Sequence, residues 1–204
     1  MAEQASPAVE ALAEARHGDP FALLGPHRVG DGRWIIRAFL PEAHHVDLVM
    51  GEDVNLNTQR IHDAGLFEVS VENSIRPIYQ FLVCGAGGES LRQDPYRFTP
   101  VLSTDDLACV RGVGDKPLED ILGARRILHE DVEGAFFAVW APSARRVSVV
   151  GDFNAWDGRR HPMRRRHEGG VWEIFIPDVS EGVRYKFEIL GINGALLPLK
   201  ADPL

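Results

Sequence analysis

Hydrophobic and polar residues alternate with a period of two in short runs along this chain. In "LFEVSV" (66–71), Phe67, Val69 and Val71 fall on one face, and Glu68 and Ser70 on the other. In "VWEIFI" (171–176), Trp172, Ile174 and Ile176 alternate with Glu173 and Phe175. In "YKFEIL" (185–190), Tyr185, Phe187 and Ile189 alternate with Lys186 and Glu188. This period predicts strands with one buried and one wetter face, as in a two-sheet antiparallel sandwich. Turn signals at Pro41, Gly65, Gly85 to Gly88, Gly169-Gly170 and Gly194 punctuate the runs. Helix is confined to the start. Ser6 offers an N-cap and Pro7 a first-turn proline before Val9, Leu12 and Ala13, predicting a helix over 7–16. Asp19-Pro20 repeats the device, with Gly25 placed to end "FALL".

The pattern occurs twice. "IIRAFLPEAHHVDLVMG" (35–51) matches "FFAVWAPSARRVSVVGD" (136–152), placing Phe39 on Trp140, Pro41 on Pro142 and Val46 on Val147. "GLFEVSV" (65–71) matches "GVWEIFI" (170–176), and the lead-ins "PFALLGPH" (20–27) and "LEDILGAR" (118–125) also agree. A spacing of about 100 residues is a domain size, not a solenoid period, so the chain reads as a tandem duplication. The expected fold is all-β: two tandem immunoglobulin-like β-sandwich domains with short N-terminal helical segments. The expected division is a helical segment over 1–17, a first sandwich over 18–114 and a second over 115–204. "STDDLACVRGVGDKPLEDIL" between the copies is richer in turn residues and charge.

Composition narrows the function classes. With 204 residues, 45% hydrophobic and 25% charged, two domains can each bury a core without disulfide staples. Cys84 and Cys109 read as free thiols, and the acidic, Ala-rich start does not resemble a secretory signal, so the expected location is cytoplasmic. No apolar run reaches the roughly 20 residues of a membrane span. A net charge of −8 argues against general polyanion binding. Neither a membrane nor a nucleic-acid partner is expected.

Residues present in both copies belong to the sandwich; those in one copy need their own reason. On that logic Trp172 (opposite Phe67) and Trp140 (opposite Phe39) are expected in the core. Trp156 has no aromatic counterpart: the copies place it opposite Asn55, in a turn after "VSVV". Two readings stand for it. Its flat face can carry a pyranose ring, with Asn154 offering an amide and Lys186 an ammonium to hydroxyls; or it packs over its own loop or another domain. Arg159, Arg160, Arg164, Arg165 and Arg166 suggest nucleic acid. A strand would point Arg164 and Arg166 away from Arg165, so a solvated loop or a domain interface is favoured. No pair of carboxylates, nucleophile elbow, P-loop or metal-ligand spacing is present; no catalytic residue, metal or cofactor is expected.

"HGDPFALLGPH", "FAVWAPSARRVSVVGDFNAWDGRRHPMRRR", "GVWEIFIP" and "YKFEILGINGALLPLKADP" together resemble the N-terminal half of bacterial 1,4-α-glucan (glycogen) branching enzymes. The resemblance runs from about His17 to the last residue. It implies an N-terminal sandwich, then a family-48 carbohydrate-binding module. The family's catalytic (β/α)₈ barrel, which would start near "KADPL", has no counterpart in this chain. The implied function is glucan binding and positioning for an enzyme that forms α-1,6 branches, this chain being inactive alone. The implied partners are α-glucan (glycogen, maltooligosaccharides) and that barrel. Trp156 falls on the family's sugar-stacking Trp and Lys186 on its hydroxyl-contacting Lys. A second aromatic, expected near Leu196-Leu197, is replaced by aliphatic residues, and Arg125 stands where the family has His. The alternative reading is a stand-alone glycogen-binding or regulatory protein.

Overall fold

The computed structural model describes residues 7–51 and 54–203, and they form two compact units. One comprises the described residues up to Ala13 with Phe21–Arg97; the other comprises Glu14–Pro20 with the chain from Phe98 onward. The division falls between Arg97 and Phe98, not at Gly114 as the sequence suggested. The reason is burial: Phe98, Leu102 and Leu107 pack on Phe136, Ala138, Val171 and Phe175 in the second unit. The N-terminal helix, α1, spans Pro7–Ala13 and stops short of residue 16; Ala15 is left-handed, at φ 56°. The proposed cap Ser6 lies outside the described residues.

In the first unit the strands are β1 (Gly25–Arg28), β2 (Arg33–Phe39), β3 (Ala43–Met50), β4 (Val54–Asn57), β5 (Gln59–His62), β6 (Leu66–Glu72), β7 (Gln80–Gly85) and β8 (Gly88–Gln93). They form two four-stranded antiparallel sheets, ordered β1-β2-β6-β5 and β4-β3-β7-β8. Ile36, Val69 and Val71 from one sheet meet Val46, Leu48, Phe81 and Val83 from the other. The alternation read from "LFEVSV" holds: Phe67, Val69 and Val71 are buried and Ser70 is exposed.

In the second unit α2 (Thr104–Val110) precedes β9 (Gly123–His129), β10 (Val132–Trp140), β11 (Arg146–Gly151), β12 (Arg164–Arg166), β13 (Val171–Pro177) and β14 (Tyr185–Leu190). One sheet is ordered β9-β10-β13-β12 and the other pairs β11 with β14. The first order repeats β1-β2-β6-β5 strand for strand, and β11–β14 repeats β3–β7, so the duplication extends to topology. The lead-ins repeat too. A 3₁₀ turn (Pro20–Ala22, Leu118–Asp120) runs into a left-handed glycine, Gly25 at φ 81° and Gly123 at φ 87°. At Gly25 any side chain would also collide with the Tyr96 carbonyl, 2.4 Å from where Cβ would lie.

Two expectations about burial fail in the second unit, for opposite reasons. β13 is buried on both faces, and Glu173, expected on a wetter face, is 1% exposed. The segment from Phe98 to Ile121 covers the outer side of this sheet. Glu173 accepts bonds from the backbone N–H groups of Val101 and Leu102, both 3.0 Å, and pairs with Arg166 at 2.5 Å. That segment contains α2, which the sequence reading passed over as a connector. Ser103 caps it in a reciprocal box with Asp106. Partial burial pushes the Asp106 carboxyl up, but the Lys116 ammonium and the Ser103 donors outweigh it and hold it at about 2. Trp140, expected in the core opposite Phe39, is 58% exposed. Phe39 is covered by Val9, Leu12, Leu24 and Tyr96 of its own unit, whereas Trp140 lies at the end of β10 beyond its cover. No helix among the described residues is long and apolar enough to cross a membrane.

Candidate functional site

The site is built on the outer face of β11 and β14. Arg146, Ser148 and Val150 stand opposite Leu190, Glu188 and Lys186, every second pair of the register. After β11 the chain crosses this face and returns along the free edge of the strand. Val149 N–H donates to the His161 carbonyl (3.1 Å) and Met163 N–H to the Val147 carbonyl (2.8 Å). Residues 161–163 therefore take the place that β4 takes beside β3, where Thr58 N–H donates to the Val46 carbonyl. The excursion over 152–160, which carries Trp156, takes nine residues, whereas only three separate β3 from β4 in the first unit.

The excursion is tied down from below. Arg146 reaches up from β11 to the Gly158 carbonyl (2.9 Å), pairs with Glu188 at 2.6 Å, and also donates to the Ser148 hydroxyl. Ser148 in turn donates to the Gly158 carbonyl at 2.6 Å. The Arg146 side chain is 2% exposed, a buried cation whose charge is met by Glu188. A Cβ at Gly158 would lie 1.9 Å from the Glu188 carboxylate, so a larger residue there requires Glu188 to shift from its place beside Arg146.

Asn154 closes the loop from within. It is 1% exposed; its oxygen accepts from Gly151 N–H at 2.9 Å. Its nitrogen donates to the Val149 carbonyl and to His161 Nδ1, both at 2.8 Å. Its amide is spent on the loop and is not offered outward, unlike the role expected from sequence. Ala155 and Trp156 are both left-handed, at φ 57° and 61°. These two left-handed residues turn the chain so that the indole lies at the surface, 37% exposed. Its Nε1 donates to Asp152 Oδ1 at 3.1 Å. Arg184 forks onto the same carboxylate at 3.0 and 3.2 Å. The Asp152 carboxyl is held below its ordinary range, first by Arg184 and then by Trp156.

Beside the indole lies an open groove of about 380 Å³, lined by Trp156, Arg146, Glu188, Leu190, Leu196 and Arg159, with Glu14 to Arg16 as the far wall. Lys186 is exposed on the same outer face of β14, two residues along from Glu188, and does not line the groove. The structure brings Trp156 and Lys186 to one face and leaves Asn154 beneath it. The Arg146–Glu188 floor and the Glu14–Arg16 wall were missed from sequence, since nothing in the local pattern ties residue 14 to residue 156. Leu196, in the position expected of a second aromatic, is exposed at the groove's edge.

The arginines divide as the strand period requires. Arg164 donates to the Phe98 carbonyl at 2.8 Å and Arg166 to the Leu102 carbonyl at 2.7 Å. Arg165 points the other way, over the Trp172 ring at 5.7 Å. Arg159 is paired with Asp157 at 2.7 Å. The cluster fastens segment 98–102 and the loop. Arg125 covers the Phe136 ring at 4.7 Å. Among the described residues no group of three or more His, Cys, Asp or Glu is placed to hold a metal ion.

Tandem sandwiches with an aromatic on an added loop define a class, and comparison with known families gives it a name. Residues 121–204 match the model of carbohydrate-binding module 48 (isoamylase N-terminal domain). Residues 5–96 match that of the N-terminal domain of the alpha-1,4-glucan branching enzyme GlgB. The 1,4-alpha-glucan branching enzyme GlgB of Pseudomonas putida is 48% identical over 198 residues, which is 96% of this chain and 26% of that protein. The enzyme of the same name from Paramagnetospirillum magneticum is 50% identical over 195 residues, 95% of this chain and 26% of its own. The chain spans about a quarter of the length of these relatives. It belongs to the N-terminal regions of the 1,4-α-glucan branching enzyme family.

Proposed function

We propose that this chain is the glucan-holding part of a branching enzyme. Its second unit binds α-1,4-glucan, as glycogen or maltooligosaccharide, through the face of Trp156, and steadies it for a catalytic barrel that forms the α-1,6 branch. The observation that carries the reading is the exposure of Trp156 in a nine-residue excursion where the first unit has three residues. An indole that only filled its own loop would be covered; this one is held by its N–H to Asp152 and remains 37% exposed. Lys186 supplies an ammonium for sugar hydroxyls on the same face. Asn154 contributes by shaping the loop. The first unit, ending at Arg97, is a sandwich with the shorter connection, and its part is to dock and orient. The free thiols Cys84 and Cys109 fit a cytoplasmic enzyme.

A platform of one aromatic with an aliphatic neighbour, Leu196, gives weak affinity by itself. Useful retention on glycogen then comes from many chain ends and from further sites on the whole enzyme. Affinity electrophoresis in glycogen-containing gels tests the reading. The parent chain is expected to be retarded and Trp156→Ala to run freely. Equal retardation of both removes Trp156 as the platform, and absence of retardation in the parent removes glucan binding.

A further inference from the structure

The Asp152 side chain touches both Trp156 and the approach to β14. Its Oδ1 accepts the indole N–H at 3.1 Å, and Arg184 bonds both of its oxygens. Its own backbone N–H donates to the Arg184 carbonyl at 3.1 Å. Arg184 lies two residues before Lys186, so one carboxylate joins the loop bearing the indole to the strand bearing the ammonium. The bonds are directional, and their geometry is what counts. Arg184 is 82% exposed, and an exposed ion pair adds little to global stability. A fork of two bonds does fix an angle, however, and an indole held by its N–H keeps one rotamer. Ala155 and Trp156 are both left-handed, so the 3₁₀ turn over Asp152–Asn154 ends before the indole, and the bond to Asp152 is what fixes its ring.

We propose that Asp152, braced by Arg184, is a positioning residue: it sets the Trp156 ring in register with Lys186 so that one glucose ring can meet both. The inference rests on the reading of Trp156 as the glucan platform. The brace also occupies the indole N–H, so the ring serves a ligand by its face alone. Glucan recognition at Trp156 is then stacking, with hydroxyl bonds supplied from β14. Preformed in this way, the ring need not be ordered at the moment of binding.

The test uses the full chain and maltoheptaose, followed by titration calorimetry and tryptophan emission. Asp152→Ala is expected to weaken binding about five- to ten-fold, the loss of one to two charge-assisted bonds' worth of orientation. Its melting temperature should stay within about 2 °C of the parent, as for a surface substitution. Asp152→Asn keeps an oxygen for the indole but loses the ionic fork, and should fall between the two. Arg184→Ala should match it. The emission change caused by Asp152→Ala should vanish when Trp156 is already Phe. If Trp156→Ala abolishes binding while Asp152→Ala leaves it unchanged, the brace is refuted and the platform stands. If Asp152→Ala lowers affinity only in step with a lowered melting temperature, the residue is structural and the proposal fails. If the parent itself does not bind maltoheptaose, the platform and the brace fall together.

Discussion

Replacing Glu173 by alanine removes the acceptor that holds segment 98–102 to the second sandwich. In the parent, that buried carboxylate takes two backbone N–H bonds at 3.0 Å and the Arg166 guanidinium at 2.5 Å. Truncation leaves the Val101 and Leu102 donors without a partner and strands Arg166, whose side chain is 13% exposed. Breaking a buried pair from one side costs about 3–5 kcal/mol, most of it from the groups left behind. With a urea m-value of about 2 kcal/mol/M, the midpoint for this unit should fall by roughly 1.5–2.5 M. Glu173→Gln keeps one oxygen for the two N–H groups and should lose about half as much. Urea unfolding followed by far-ultraviolet circular dichroism reads both. A loss under about 1 kcal/mol for Glu173→Ala would show that the segment is held by its apolar contacts alone, and would refute the ionic account.

Asp94 in the first unit gives a pH signature. Burial raises its carboxyl from 3.8 to about 6, although Tyr79 and Tyr96 donate to it at 2.6 and 2.9 Å. The folded state thus holds this proton more tightly than the unfolded chain. The stability it contributes is complete below about pH 4 and is lost as pH rises through 6, a span on the order of 3 kcal/mol. Asp94→Asn should flatten that slope in thermal melts between pH 4 and 7; an unchanged slope would exonerate Asp94. Gly158→Ala forces the Glu188 carboxylate off Arg146, leaving a buried cation unpaired, and should cost about 3 kcal/mol in urea unfolding. Trp140→Ser, at an exposed position, should change stability by no more than about 0.5 kcal/mol by the same assay.

The all-β class and the duplication were legible because strand alternation and repeat spacing are local properties of the chain. Where the reading failed, a distant segment had changed what a face touches. Glu173 follows the rule for an outward residue, yet Phe98, Leu102 and Leu107 arrive from another stretch and bury that face. Trp140 is the converse: it matches Phe39 by alignment, but the cover over Phe39 has no counterpart at the end of β10. Helix α2 carried its own signal, Ser103 three residues before Asp106, which its charged surroundings disguised. At the site, the place of Trp156 in an added loop was legible from the repeat, and that of Lys186 on the outer face of its strand from the strand period. Asn154 was misjudged because an Asn in a turn reads as an outward ligand whether its amide faces solvent or, as here, its own backbone. The Arg146–Glu188 floor depends on cross-strand neighbours 42 residues apart, which no local pattern reveals.

The central claim is that α-glucan stacks on Trp156, and the indole N–H resonances of the chain test it most directly. The Nε1 groups of Trp34 and Trp172 are bonded to the Asn73 and Ala141 carbonyls, and Trp140 lies at the end of β10. In a titration with maltoheptaose followed by nitrogen-proton correlation spectra, the Trp156 indole signal should move progressively and saturate, while those of Trp34, Trp140 and Trp172 stay in place. A saturable shift at another tryptophan, with Trp156 unmoved, would contradict the account.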